Sequence, residues 1–369
     1  MTTNPDDDPS IPPAAAALTP AAALTPAAPL AAGAPLMPAA PLTAAAPPAA
    51  VAPLPAARAL PATPPLASLD PVLLATAHGQ HGMLTTAQIL ATGISAPRLV
   101  ALVKAGVLRH PGRGLYAVEA LVDPEPEAWH RQLCAGAFLL YPDAVLTGTS
   151  AVLAHGVPVW GAPLAAPSIR RPVRRAGGMR SFWVRPSPGE GVTTTGWGPA
   201  CPLADALVQH AVDRGIVPGV VSADAALRER AVSEAELAAA AESVATWPHV
   251  SRAAAMLRLA DGRRESVGES RCGVALAMAG IAVTPQVRVY DTDGGLVARV
   301  DFLVDGTRVV VEFDGKVKYA DGDPSVLWAE KRREDRLRRL GYVVVRVTWA
   351  DLERPGGVAE KVRAALQSV

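Results

Sequence analysis

The sequence predicts a multidomain α/β chain, and three observations carry that prediction. Three short, capped helices followed by two strands around a glycine-rich turn occupy residues 70–122. Helical segments with apolar periodicity fill much of 123–250, with a few strands among them. Residues 262–369 read as helix, three strands, helix and strand, organised around Val297 to Lys318. A chain of 369 residues exceeds one ordinary core, and such chains divide into several domains.

Residues 1–69 are Ala, Pro and Leu with some Thr. Each proline removes an amide donor and discourages helix in the residue before it, so a disordered or polyproline-like arm is expected. It reads as a spacer or as a segment without a role of its own. The formal charge of +1 hides segregation, because the arm has little charge while a C-terminal helix is dense in arginine. The three cysteines, Cys134, Cys201 and Cys272, are too far apart for a zinc site or a disulfide framework, which fits a reduced cytosol. Apolar runs are broken before they reach bilayer length, and Asp6, Asp7 and Asp8 stand where a secretory signal would be positive. A cytoplasmic protein with no membrane partner is therefore expected. Neither GxGxxG nor GxxxxGK[ST] occurs, so no nucleotide cofactor is expected.

Order should begin at Asp70, an N-cap followed by Pro71 and an apolar helix ended by glycine. The next helix takes Thr85 or Thr86 as its cap and Gly93 as its stop, and the third takes Ser95. The stretch VLRHPGRGLYAV then gives two strands around His110 to Gly114. Helix-turn-helix plus wing is the winged-helix pattern, in which the third helix enters the major groove and the wing touches the backbone. Arg98 and Lys104 on that helix, with Arg109 and Arg113 on the wing, are the expected DNA contacts. A protein-docking module is the competing reading of so few cations.

In 123–250, Glu127 to Leu140 reads as a helix, and GTSAVLAHG as another, capped by Thr149 or Ser150. Further helices are expected over Pro202 to Asp213, Asp224 to Arg230 and Glu234 to Val244. Between Ile169 and Arg185 stand Arg170, Arg171, Arg174, Arg175, Arg180 and Arg185, interleaved with Phe182 and Trp183. Such a run either grips and stacks nucleic acid or forms a solvated hairpin. The seven histidines lack metal-ligand spacing and read as structural or surface residues.

In the C-terminal region, Asp305-Gly306 between β-branched runs favours a two-residue type I′ turn. If Val304 faces Thr307, Asp301 lies opposite Val310, with Glu312 a diagonal neighbour on the same face and Asp314 following. Like charges so close repel, and a hard divalent cation such as Mg²⁺ removes the conflict. The alternative is a solvated hairpin tip. Glu269 lies in the first turn of the preceding helix, and the following helix, Trp328 to Leu340, places Arg332, Arg336 and Arg339 on one basic ridge suited to a phosphate backbone.

Five blocks carry a resemblance: Glu269 to Arg271, Ala298 to Phe302, Val310 to Tyr319, Glu330 to Leu337 and Gly341 to Trp349. Together they resemble the PD-(D/E)XK nuclease superfamily, in the branch related to very-short-patch-repair (Vsr) endonucleases, over roughly 100 residues. The resemblance implies a restriction-endonuclease-like αβββαβ domain in which Asp301 and Glu312, completed by Glu269, hold Mg²⁺ for phosphodiester hydrolysis. The family motif wants Lys two residues after the Glu; here Asp314 stands there, and Lys316 or Lys318 would supply the positive charge. The winged helix with the helical middle region also resembles the antitoxins of type IV abortive-infection systems (AbiEi-like). That resemblance implies DNA as a partner, a toxin as a second one, and a regulator without catalysis as the alternative to a DNA endonuclease.

Overall fold

Asp70 caps the first described helix, its carboxylate accepting from the Val72 amide at 2.7 Å, and Pro71 opens helix α1 (Pro71–Gly79). The computed structural model describes residues 69–173, 177–179, 181–186, 191–315 and 324–368. After α1 come β1 (Met83–Thr85), α2 (Thr86–Ala91), α3 (Ala96–Lys104), β2 (Leu108–Gly112) and β3 (Leu115–Val118). Thr85 forms a capping box with Gln88 at the start of α2, and Ser95 accepts from the Arg98 amide at the start of α3. The strands form a sheet in the order β1-β3-β2, as a winged helix requires. Leu73, Leu84, Ile89, Leu99, Leu102 and Val118 pack as its core. Strand β1 was not foreseen, because its three residues pair with β3 some thirty positions away and carry no local period.

The middle region contains more sheet than its sequence suggests. It runs α4 (Pro126–Leu140), β4 (Val145–Leu146), α5 (Gly148–Ala154), β5 (Ser168–Arg171), β6 (Gly177–Met179), β7 (Phe182–Pro186), β8 (Thr193–Thr195) and β9 (Gly198–Ala200). Helices α6 (Leu203–Arg214), α7 (Ile216–Arg228), α8 (Glu234–Ser243) and α9 (Ser251–Leu259) follow. Six strands join in the order β6-β7-β5-β4-β9-β8, with β5‖β7 and β4‖β9 parallel. No strand in this sheet exceeds five residues, too few for a two-residue period to declare itself. The cap of α5 is Thr147 rather than Thr149 or Ser150. Those two residues are buried and serve the histidines: Ser150 Oγ meets His130 Nε2 at 2.9 Å, and Thr149 Oγ1 meets His210 Nδ1 at 3.0 Å.

The winged helix does not stand apart. Met83, Leu115 and Ala117 belong to the same buried cluster as the middle region, and Gly136 of α4 lies against Leu115 and Met83 where a Cβ would not fit. The wing is docked as well. Ser181 Oγ donates to the Pro111 carbonyl at 3.0 Å, and a Cβ on Gly112 would fall 1.4 Å from that hydroxyl oxygen.

The C-terminal region comprises α10 (Val267–Met278), β10 (Val283–Tyr290), β11 (Leu296–Val304), β12 (Val309–Asp314), α11 (Pro324–Arg339), β13 (Val343–Thr348), α12 (Trp349–Glu353) and α13 (Gly357–Leu366). The expected order of helix, three strands, helix and strand is thus present. Its sheet runs β10-β11-β12-β13, antiparallel except for the parallel pair β12 and β13. One cluster, including Cys272, Phe302, Val311, Val347 and Val362, unites the sheet with α10 and α13; Val310 and Leu337 belong to a second cluster with α11. The linker before α10 is pinned by a buried ion pair, Arg264 to Asp224 at 3.1 Å. Burial raises the Asp224 carboxyl to about 6 against the pull of Arg264.

The hairpin register differs from the expected one by two residues. Phe302 pairs with Val311 and Leu303 with Val310, so Asp305 to Arg308 form a four-residue loop. A type I′ turn needs positive φ at both central residues, and of Asp305 and Gly306 only Gly306, at +72°, has it. Thr307 closes the loop instead: its amide and hydroxyl both donate to the Val304 carbonyl, and its Oγ1 accepts from the Val309 amide. A shift of two preserves which face each side chain takes. It moves Asp301 from opposite Val310 to opposite Glu312.

Candidate nucleic-acid interface

Helix α3 buries Leu99 and Leu102 and turns Arg98 and Lys104 outward, both exposed. At 100° per residue Ala101 lies between them, so the outward surface is two cations around a small side chain that lets a groove wall approach. Arg113 is exposed at the wing turn beside Gly114, whose φ is +83°. Arg109, expected as a fourth contact, is exposed but already engaged by neighbouring side chains. It is paired to both Glu119 oxygens, at 2.9 and 2.5 Å, and its guanidinium lies 5.1 Å from the Trp129 ring centroid.

Among the described arginines of the middle-region run, two are engaged by neighbouring acids and rings. Arg171 pairs with Asp143 and covers the Tyr141 ring at 4.2 Å, while Arg185 pairs with Asp213 and covers Trp247 at 4.7 Å. Phe182 is buried in the core, leaving Trp183 as the exposed aromatic of the run. Arg174, Arg175 and Arg180 lie outside the described residues.

In the C-terminal region Asp301 Oδ2 accepts from the Phe313 amide at 2.7 Å. Burial, together with the charges of Glu269 and Glu312, pushes the Asp301 carboxyl up to about 6. Burial raises Glu312 too, and Arg333 opposes that shift. Arg333 Nη2 lies 3.0 Å from Glu312 Oε1 and 3.1 Å from Oε2. Only the Oε2 contact is aligned as a hydrogen bond, so the buried Oε1 receives charge without a donor hydrogen.

The three-carboxylate Mg²⁺ set expected from the sequence is not assembled. Glu269 is spent on its own helix start, with Oε1 accepting from Ser266 Oγ and Oε2 from the Glu265 amide and from Gln286 Nε2. Gln286 reaches it from a left-handed backbone position, φ +55°, within β10. Among the described residues no group of three His, Cys, Asp or Glu side chains is placed to hold a metal ion. The charge facing Glu312 among the described residues is the Arg333 guanidinium. Lys316 and Lys318 lie outside the described residues, and Asp314 stands beside Thr348 on β13.

On α11, Arg332 and Arg339 are exposed, while Arg336 is paired with Asp291 at 3.3 Å. Arg346 of β13 gathers Glu330 and Glu334, and Arg338 also pairs with Glu334. The basic ridge is thus thinner than its spacing promised. Arg333, the residue that matters most for Glu312, was missed because it sits one position, or 100°, from the Arg332, Arg336 and Arg339 ridge.

Helix α3, its outward cations and the docked wing make up a winged-helix module. Residues 72–118 match the model of a family described as transcriptional regulator, AbiEi antitoxin. Over 140 residues the chain is 28% identical to "Uncharacterized protein MT2308" of Mycobacterium tuberculosis (strain CDC 1551 / Oshkosh). The same figures hold for "Uncharacterized protein Rv2248" of Mycobacterium tuberculosis (strain ATCC 25618 / H37Rv). The matched segment is 38% of this chain and 51% of each relative, so the chain spans about half the length of the curated relatives it matches. No helix among the described residues is long and apolar enough to cross a membrane.

Proposed function

We propose that the protein is a DNA-binding transcriptional regulator of antitoxin type, working in the cytoplasm, whose winged helix reads DNA and whose C-terminal domain assists without cutting. The observation that carries this reading is the outward face of α3, where Arg98 and Lys104 flank Ala101 inside the segment that matches the regulator family. Arg113 on the wing and Arg332 and Arg339 on α11 add cations for the phosphate backbone. A toxin is the second partner this class calls for. A mobility shift with duplex from upstream of the protein's own coding sequence tests the reading. A shift that weakens in R98A/K104A supports it, and the absence of any salt-dependent shift contradicts it.

The second reading is a Vsr-like, Mg²⁺-dependent endonuclease. It is favoured by the αβββαβ order and by Asp301 facing Glu312 across the hairpin. Against it stand Arg333 on Glu312, the engaged Glu269, and Asp314 in place of the motif lysine. Under this reading plasmid incubated with Mg²⁺ is nicked by the wild type and not by D301A; under the regulator reading both leave it intact and DNA binding survives D301A.

A further inference from the structure

A cavity of about 530 Å³ opens between β7, the C-terminal end of α6 and the turn carrying Trp247. Its walls include Trp183, Arg185, Asp213, Arg214, Trp247 and Pro248. The volume lies in the range of small-molecule sites, and apolar, aromatic walls with a few polar groups are what such sites present. Trp183 is 57% exposed, so one of its two indoles stands open at the rim. The charges are unequal. Asp213 is already paired with Arg185, while the Arg214 Nε donates to Thr149 Oγ1 at 3.3 Å and its terminal amines meet no partner among the described residues. The net charge around the cavity is positive.

We propose that this cavity binds a small planar aromatic anion, its ring against Trp183 and Trp247 and its carboxylate or phosphate beside Arg214. Cation and aromatic faces together select such a ligand over a neutral ring or an aliphatic acid. The site is also wired to the wing. Trp183 is two residues from Ser181, which holds the Pro111 carbonyl and abuts Gly112, so a ligand that shifts the start of β7 shifts the wing. The consequence for DNA affinity rests on the regulator reading; the binding and the wing response do not.

The test uses the full chain and two measurements. Calorimetric titration takes salicylate, indole-3-acetate and AMP as anionic probes, with benzyl alcohol and adenosine as neutral counterparts. Saturable binding of an anionic probe, about tenfold weaker in W183A and in R214Q and absent for the neutral compounds, is the expected result. Salicylate or indole-3-acetate binding assigns the anion as a carboxylate, AMP binding as a nucleotide. No saturable binding by the three anions, or unchanged affinity in both variants, overturns the site. Hydrogen exchange at residues 108–118 should change when the bound probe is added, without any DNA present; an unchanged wing overturns the transmission.

Discussion

Glu312 and Arg333 form the ion pair on which the character of the C-terminal domain turns, with Nη2 at 3.0 and 3.1 Å from the two carboxylate oxygens. Glu312 is mostly buried and Arg333 about one third exposed. Removing the arginine strands a carboxylate that burial already disfavours. R333A should therefore lower stability by about 1–2 kcal/mol, discounted for the exposure of the arginine. R333A/E312Q should recover part of the loss, since a neutral amide needs no counter-charge. Thermal melts of the three proteins check this, and a double variant no better than R333A contradicts the pairing.

Asp301 predicts a pH dependence. Its folded-state carboxyl is raised from 3.8 to about 6, so between those values the folded chain holds more protons than the unfolded one. Its contribution to stability is then largest below about pH 4 and is lost as pH rises toward and through about 6. D301N keeps an acceptor for the Phe313 amide and removes the charge. It should melt higher than the wild type at pH 7, by roughly 2 °C, and the gap should close near pH 4. A gap that widens on acidification has the wrong sign for a raised carboxyl.

The wing contact predicts a steric effect of one methyl group. G112A places a Cβ 1.4 Å from Ser181 Oγ, which forces the wing off the middle region or displaces β7. A loss of about 1–3 kcal/mol is expected, as for other overpacked sites. S181G/G112A should restore most of it. Melting curves with hydrogen exchange over the wing separate the cases, and an undisturbed G112A means the wing is not held there.

How much of this was legible depended on where each signal lies along the chain. Caps at Asp70, Thr85 and Ser95 announced their helices because a cap is a local device, read within four residues. The middle sheet was not legible, because strands as short as Val145–Leu146 are defined by partners more than twenty positions away. In the hairpin the face of Asp301, Glu312 and Asp314 was readable from alternation alone. Their register was not, since Thr307 rather than the Asp-Gly pair closes the loop. The site's chemistry was least legible of all. Ser266-x-x-Glu269 has the spacing of a capping box, so the tie of Glu269 to its helix start was readable, but nothing in the spacing says that it accepts from Gln286, or that Arg333 rather than Arg332 faces Glu312.

Arg109 gives a contrast within the wing. Held by Glu119 and Trp129, it should matter to stability and little to DNA, so R109A should melt lower while binding DNA nearly as tightly as the wild type. A large affinity loss in R109A with unchanged melting would return it to the DNA surface.

The proposed regulator function requires that α3 present the DNA-reading surface through Arg98 and Lys104. Fluorescence anisotropy on labelled upstream duplex, repeated across a salt series, measures it most directly. R98A/K104A should bind about tenfold or more weakly, with a salt slope shallower by about one per lost phosphate contact, while D301A binds like the wild type. If R98A/K104A keeps both the affinity and the salt slope of the wild type, α3 is not the DNA-reading surface.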